Sequence, residues 1–134
     1  MYFVFFVVLF FMARILIIDD DLHMRTACGR VLSKAGHTVT CAETGVEGLR
    51  ALGIGTDPFD AVLLDQLMPG LSGMETLAVI KAKAPRLPVI IITGSATEET
   101  AAEILERGAC DCLPKPFTPE QLRNALKKNL PANA

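Results

Sequence analysis

Five side chains of this 134-residue chain have the types and spacing to do chemistry together: Asp19, Asp20, Asp65, Thr93 and Lys115. Each stands where a short, mainly apolar run gives out. Arg14-Ile15-Leu16-Ile17-Ile18 ends in Asp19-Asp20-Asp21, and Ala61-Val62-Leu63-Leu64 ends in Asp65. Val89-Ile90-Ile91-Ile92 ends in Thr93, and the weaker run Cys110 to Pro114 delivers Lys115. Three carboxylates brought close repel one another and need a cation. Hard oxygen ligands that leave room for water suit Mg²⁺, with Mn²⁺ an alternative. Lysine supplies a flexible point charge for a carboxylate or a phosphate oxygen, and the threonine hydroxyl can turn toward an oxygen that arrives later. The chemistry this set suggests is phosphoryl transfer onto one carboxylate, with Lys115 and the metal neutralising the equatorial oxygens.

For those groups to meet, the runs must be neighbouring strands of one sheet. Apolar runs of this length suit strands buried on both faces of a parallel sheet. Met68-Pro69-Gly70 cannot prolong a strand, so Asp65 belongs at a carboxyl end, where open α/β sheets place their sites. Helical patterns fill the intervals. Asp21 can cap a helix whose apolar positions are Met24, Ala27, Cys28, Val31, Leu32 and Ala35, stopped by Gly36. His37 to Cys41 reads as an edge-like strand, and Thr44-Gly-Val-Glu47 as a capping box opening a helix to Leu52. Ser72-Gly-Met-Glu75 opens a helix through Lys83. Ser95-Ala-Thr-Glu98 opens one carrying Ala101, Ala102, Ile104 and Leu105, and Thr118-Pro119-Glu120-Gln121 one carrying Leu122, Ala125, Leu126 and Leu130. The pattern is β-α repeated five times, an α/β fold with helices on both faces of a parallel sheet.

Four motifs in order make the chain resemble the CheY-like receiver domains of two-component response regulators. They are Ile-Ile-Asp19-Asp20-Asp21, Leu-Leu-Asp65-Gln-Leu-Met-Pro69-Gly70, Ile-Ile-Thr93-Gly94 and Leu-Pro-Lys115-Pro116-Phe117, and the likeness runs from Ala13 to about Leu130. The resemblance implies a flavodoxin-like, doubly wound (βα)5 fold with strand order 2-1-3-4-5. It implies that Asp65 accepts a phosphoryl group from a sensor histidine kinase or a histidine phosphotransfer protein. Asp19, Asp20, Asp65 and the Leu67 backbone carbonyl would hold Mg²⁺. Thr93 and Lys115 would engage the phosphoryl oxygens, and the Lys115-Pro116 bond would be cis. The output would be a protein-binding surface for a downstream target, formed by the last two helices and the strand between them, which could also serve a homodimer. Two departures stand out. Cys112 occupies the place of a frequent switch aromatic, so coupling there should be weaker or routed otherwise. Leu67, which with Ser95 flanks the path of hydrolytic water, offers no hydrogen bond, so slow self-dephosphorylation is expected.

Composition bounds the rest. The length suits a single domain with a full core. A net charge of -2 gives no support for direct nucleic-acid contact. The four cysteines, Cys28, Cys41, Cys110 and Cys112, fit no zinc spacing and read as free, buried thiols in a reducing cytoplasm. Residues 1–12 form an apolar leader, shorter than the roughly 20 residues a bilayer needs and without the marks of a signal peptide. Met12 as the true start, packing of the leader on the domain or a partner, and membrane contact are weighed in that order. Residues 13–130 form the domain and 131–134 a tail, which suggests a stand-alone receiver or an excised piece. Two other functions compete with the phosphorylated switch, which is a signalling device and not an enzyme with turnover. One is a haloacid-dehalogenase-like phosphatase using Asp19 as nucleophile and Asp21 as acid. The other is a receiver-shaped module that binds without phosphorylation.

Overall fold

A computed structural model of the chain describes residues 12–53, 58–94 and 97–130. The apolar leader apart from Met12, Ser95 and the tail therefore lie outside the described residues. Ten elements alternate: β1 (Arg14–Ile18), α1 (Leu22–Lys34), β2 (Thr38–Ala42), α2 (Gly45–Leu52), β3 (Ala61–Asp65), α3 (Gly73–Lys83), β4 (Val89–Thr93), α4 (Glu98–Glu106), β5 (Asp111–Pro114) and α5 (Pro119–Asn129). All pairings are parallel, and the strand order is β2-β1-β3-β4-β5. That is the expected doubly wound arrangement, with β1 and β3 adjacent and their carboxyl ends level: Ile18 lies opposite Leu64.

Successive side chains of a strand point to opposite faces, so a continuous apolar run feeds two cores at once. Ile15, Ile17, Leu63, Ile90 and Ile92 pack with Cys28 and Leu32 of α1 and Leu122 and Leu126 of α5. Leu16, Ile18, Val62, Leu64, Val89 and Ile91 pack on the other face with Leu52 of α2, Leu77 and Ile80 of α3, and Ile104 of α4. Every residue of β3 and β4 is buried. β2 is an edge strand with one buried position, Ala42, which accounts for its polar, β-branched sequence.

Helix starts follow the expected caps with two differences. Asp21, Ser72 and Thr118 cap α1, α3 and α5, and both Ser72 and Thr118 form reciprocal capping boxes. Thr44 accepts from the Glu47 amide, but the Glu47 carboxylate reaches one residue further back, to the Glu43 N–H, so that box is only half closed. The cap of α4 is Thr97, which accepts from the Thr100 amide. β2 begins one residue later than expected, because Thr38 N–H opens the ladder on Ala13 and the His37 ring accepts from the Ala13 N–H instead.

Of the four cysteines expected to be buried, Cys28 is buried and Cys112 half-buried, whereas Cys41, on the edge strand, and Cys110, just before β5, are exposed. The helical faces depart further. Ala27 and Ala35 of the expected α1 stripe are exposed, and a charged residue, Arg25, is buried. Arg25 sits three residues before Cys28 and seven before Leu32, on the same face, and finds partners there. On α4, Ala102 and Leu105 are exposed and Ile104 is the buried residue. The Lys115–Pro116 peptide is cis. No helix among the described residues is long and apolar enough to cross a membrane.

Candidate functional site

The strand ends bring three carboxylates together. Asp19, Asp20 and Asp65 each offer one oxygen, and these oxygens all lie within 4.8 Å of one another. Asp19 is fully buried, Asp65 nearly so, and Asp20 is exposed. Lys115, on the loop after β5, places its Nζ 3.4 Å from Asp65 Oδ1, and its N–H donates to the Thr93 carbonyl. The residue types singled out in the sequence thus converge on one rim, at the carboxyl edge of the sheet.

The surroundings fix Asp19 from several directions. Its N–H donates to the Ala42 carbonyl, and its carbonyl accepts from Arg25 Nη1 at 2.7 Å. Its Oδ1 accepts from the Asp21 N–H at 2.9 Å. Arg25 also pairs with Glu43 at 3.2 Å, which ties the acidic loop to the start of α2. Asp19 Oδ2 is left as the one buried side-chain oxygen or nitrogen among the described residues without a hydrogen-bond partner. A buried acceptor in that state is costly, and a hard cation bound by this carboxyl would relieve it.

The electrostatics agree. Burial pushes the Asp19 carboxyl up to about 6; the Asp21 amide pulls it down, the Asp65 charge pushes it up and Lys115 draws it back. Asp65 is raised too, chiefly by burial, against the lowering pull of the Lys115 ammonium and of the Leu67 N–H. Neither carboxylate is comfortable ionised without added positive charge, and Lys115 supplies only part of it. Three oxygen donors with one orphaned lone-pair atom fit a hard divalent ion that keeps some of its waters.

Thr93 lies at the end of β4 and is fully buried, yet its hydroxyl is engaged by Gln66, whose Oε1 accepts from it. Leu67 turns its side chain outward, 74% exposed, and brings its backbone N–H toward Asp65. Asp21 accepts from the His23 N–H as the cap of α1, so its carboxylate is occupied where the phosphatase reading would need a free acid. Two residues of the site, Arg25 and Gln66, were not among the sequence candidates. Arg25 lies on the apolar stripe of α1, and a charge on such a stripe is the signal that marks it. Gln66 follows Asp65 and comes opposite Thr93 at the next step of the β3–β4 register, a relation that needs the strand order.

Comparison with known proteins agrees with this geometry. The family model described as the response regulator receiver domain matches residues 15–127. Response regulator MprA of Mycobacterium tuberculosis (strain ATCC 25618 / H37Rv) is 37% identical over 125 residues, covering 90% of this chain and 54% of that protein. The DNA-binding transcriptional regulator NtrC of Escherichia coli is 43% identical over 101 residues, 75% of this chain and 21% of its own length. The chain thus spans about half the length of MprA and less of NtrC. Among solved structures, the chemotaxis protein CheY4 of Vibrio cholerae superposes with a TM-score of 0.81 at 30% identity, covering 89% of this chain and 99% of that one. The receiver domain of NtrX from Brucella abortus gives 0.80 at 33% identity, covering 87% and 97%.

Proposed function

The chain belongs to the response regulator receiver domain family, and from that premise we propose that Asp65 is its phosphoacceptor. A carboxylate oxygen of Asp65 attacks the phosphorus of a phosphohistidine on a sensor kinase or a histidine phosphotransfer protein. An O–P bond forms, the N–P bond breaks, and the imidazole nitrogen leaves and takes up a proton. Asp19 and Asp20, with Asp65 and the Leu67 backbone carbonyl, would hold Mg²⁺, or Mn²⁺ in its place. When bound, that ion supplies charge neutralisation for the phosphoryl oxygens. Lys115 carries its ammonium beside Asp65 and is placed to pair with a phosphoryl oxygen. Thr93 offers a hydroxyl proton at the adjacent strand end.

The observation that carries this reading is the convergence of three acidic oxygens, one each from Asp19, Asp20 and Asp65, within 4.8 Å of one another, beside a buried Asp19 carboxyl whose Oδ2 has no hydrogen-bond partner. A phosphoryl group adds about -1.5 to -2 charge, which biases the domain between two surface states. The output is a protein-binding face on α4, β5 and α5 that serves a downstream target or a second copy, with no direct nucleic-acid contact by this domain. The domain acts as a switch in the cytoplasm and turns over no substrate of its own. Intact mass after acetyl phosphate with Mg²⁺ tests it. Wild type gains one phosphoryl group and Asp65→Asn gains none; the same gain in both removes Asp65 from the role.

A further inference from the structure

The Thr93 hydroxyl points to a device around Gln66. In β3 and β4, Leu64 and Ile91 face the core under α2, α3 and α4, while Leu63 and Ile92 face the core under α1 and α5. Strand alternation carries that pattern two residues on. Gln66 and Thr93 follow Leu64 and Ile91, whereas Asp65 follows Leu63. Asp65 lies opposite Ile92, and Gln66 N–H donates to the Ile92 carbonyl at 2.9 Å, so the next pair in register is Gln66 with Thr93. There the Thr93 hydroxyl donates to Gln66 Oε1, on the pleat away from that of Asp65. Thr93 is fully buried and Gln66 half-buried, so the contact is partly shielded from competing water.

A hydroxyl has one proton. It can go to Gln66 Oε1 or to an oxygen on Asp65, and never to both. We propose that Gln66 is a positioning residue that holds Thr93 in a resting orientation, so that a phosphoryl group on Asp65 must win the hydroxyl from the glutamine amide. This deepens the phosphoacceptor reading and rests on it. It also addresses the small side chain at position 112. Cys112 packs against the same face of the sheet and fills little volume there, so the resting orientation of Thr93 is set by a polar partner beside it and not by bulk on β5. Removing the acceptor raises the population of the orientation that reaches Asp65, and any phosphoryl mimic then binds more tightly by that factor.

The test uses the full chain with Mg²⁺ and beryllofluoride, titrated by NMR on the Thr93 amide. Gln66→Met, close in shape and without an acceptor oxygen, is expected to bind beryllofluoride about 3- to 10-fold more tightly than wild type, the span of one neutral hydrogen bond. Gln66→Leu is the second variant. In a Thr93→Val background the Gln66→Met change should have no effect. Without metal or beryllofluoride, three-bond couplings of Thr93 should report one side-chain rotamer in wild type and averaging in Gln66→Met. Unchanged or weaker binding in both Gln66 variants overturns the inference, as does a gain that survives Thr93→Val or a Thr93 rotamer that stays single. Absence of beryllofluoride binding by wild type itself overturns the phosphoacceptor reading and this inference with it.

Discussion

The two halves of the acidic rim are built differently. On the β1 side, Asp19 is held through its N–H, its carbonyl and Oδ1, and Arg25 braces that loop against Glu43. On the β4–β5 side, Lys115 reaches Asp65 at 3.4 Å from a partly open position, the Thr93 hydroxyl rests on Gln66, and α4 buries only Ile104 of its described side chains. Rigid support belongs where a cation must be met by fixed oxygens. Lighter attachment belongs where a change must be passed outward, since the parts of a fold that move come from its low-stability end. On the proposed reading the β1 side is the holding half, and the β4–β5 side the responding half.

The largest effect is expected at the seam between them. A Cβ at Gly73 would come 2.1 Å from the Asp65 carbonyl oxygen and 2.7 Å from Gln66 Cα, both backbone atoms that cannot step aside. Gly73→Ala should cost about 3 kcal/mol or more in urea unfolding. On the holding half, Asp19→Asn should stabilise the metal-free protein. The Asp19 carboxyl is raised from 3.8 to about 6, so the folded state binds its proton more tightly than the unfolded chain does. Its contribution is therefore favourable below about pH 4 and is lost as pH rises to about 6. The difference between variant and wild type should be small in acid, grow across that window and level off on the order of 2–3 kcal/mol. Mg²⁺ should raise the melting temperature of wild type and leave that of Asp19→Asn unchanged.

Arg25→Met should cost about 2 kcal/mol, because the buried Asp19 carbonyl loses the guanidinium that donates to it. On the responding half, Lys115→Met should cost about 1 kcal/mol or less, since its ammonium is partly solvated. A stability loss at Lys115 equal to that at Arg25 would erase the distinction between the halves.

The sheet was legible because its runs are apolar on both faces and end in polar groups, a pattern that only parallel strands under two helical layers explain. Asp19, Asp20, Asp65 and Lys115 came with it, since level strand ends bring them together. The helical faces were less legible. Ala102 and Leu105 fit an apolar pattern on α4, but the helix is shallowly seated and leaves them outside. Arg25 escaped notice because a buried guanidinium depends on partners, the Asp19 carbonyl and Glu43, that are six and eighteen residues away. The hydrogen bond from Thr93 to Gln66 spans 27 residues and exists only once β3 and β4 are neighbours in a given register.

The first turn of α3 rests directly on the peptide that carries Asp65, with no methyl group between them. Strand and helix are in effect one lever, fastened again where the Gly73 N–H meets the Gln66 carbonyl at 3.0 Å. A new charge at the tip of β3 has no slack to take up on that side. On the proposed phosphoacceptor reading its influence would pass sideways through side chains, toward β4 and β5, and the missing carbon at residue 73 would give that signal its heading.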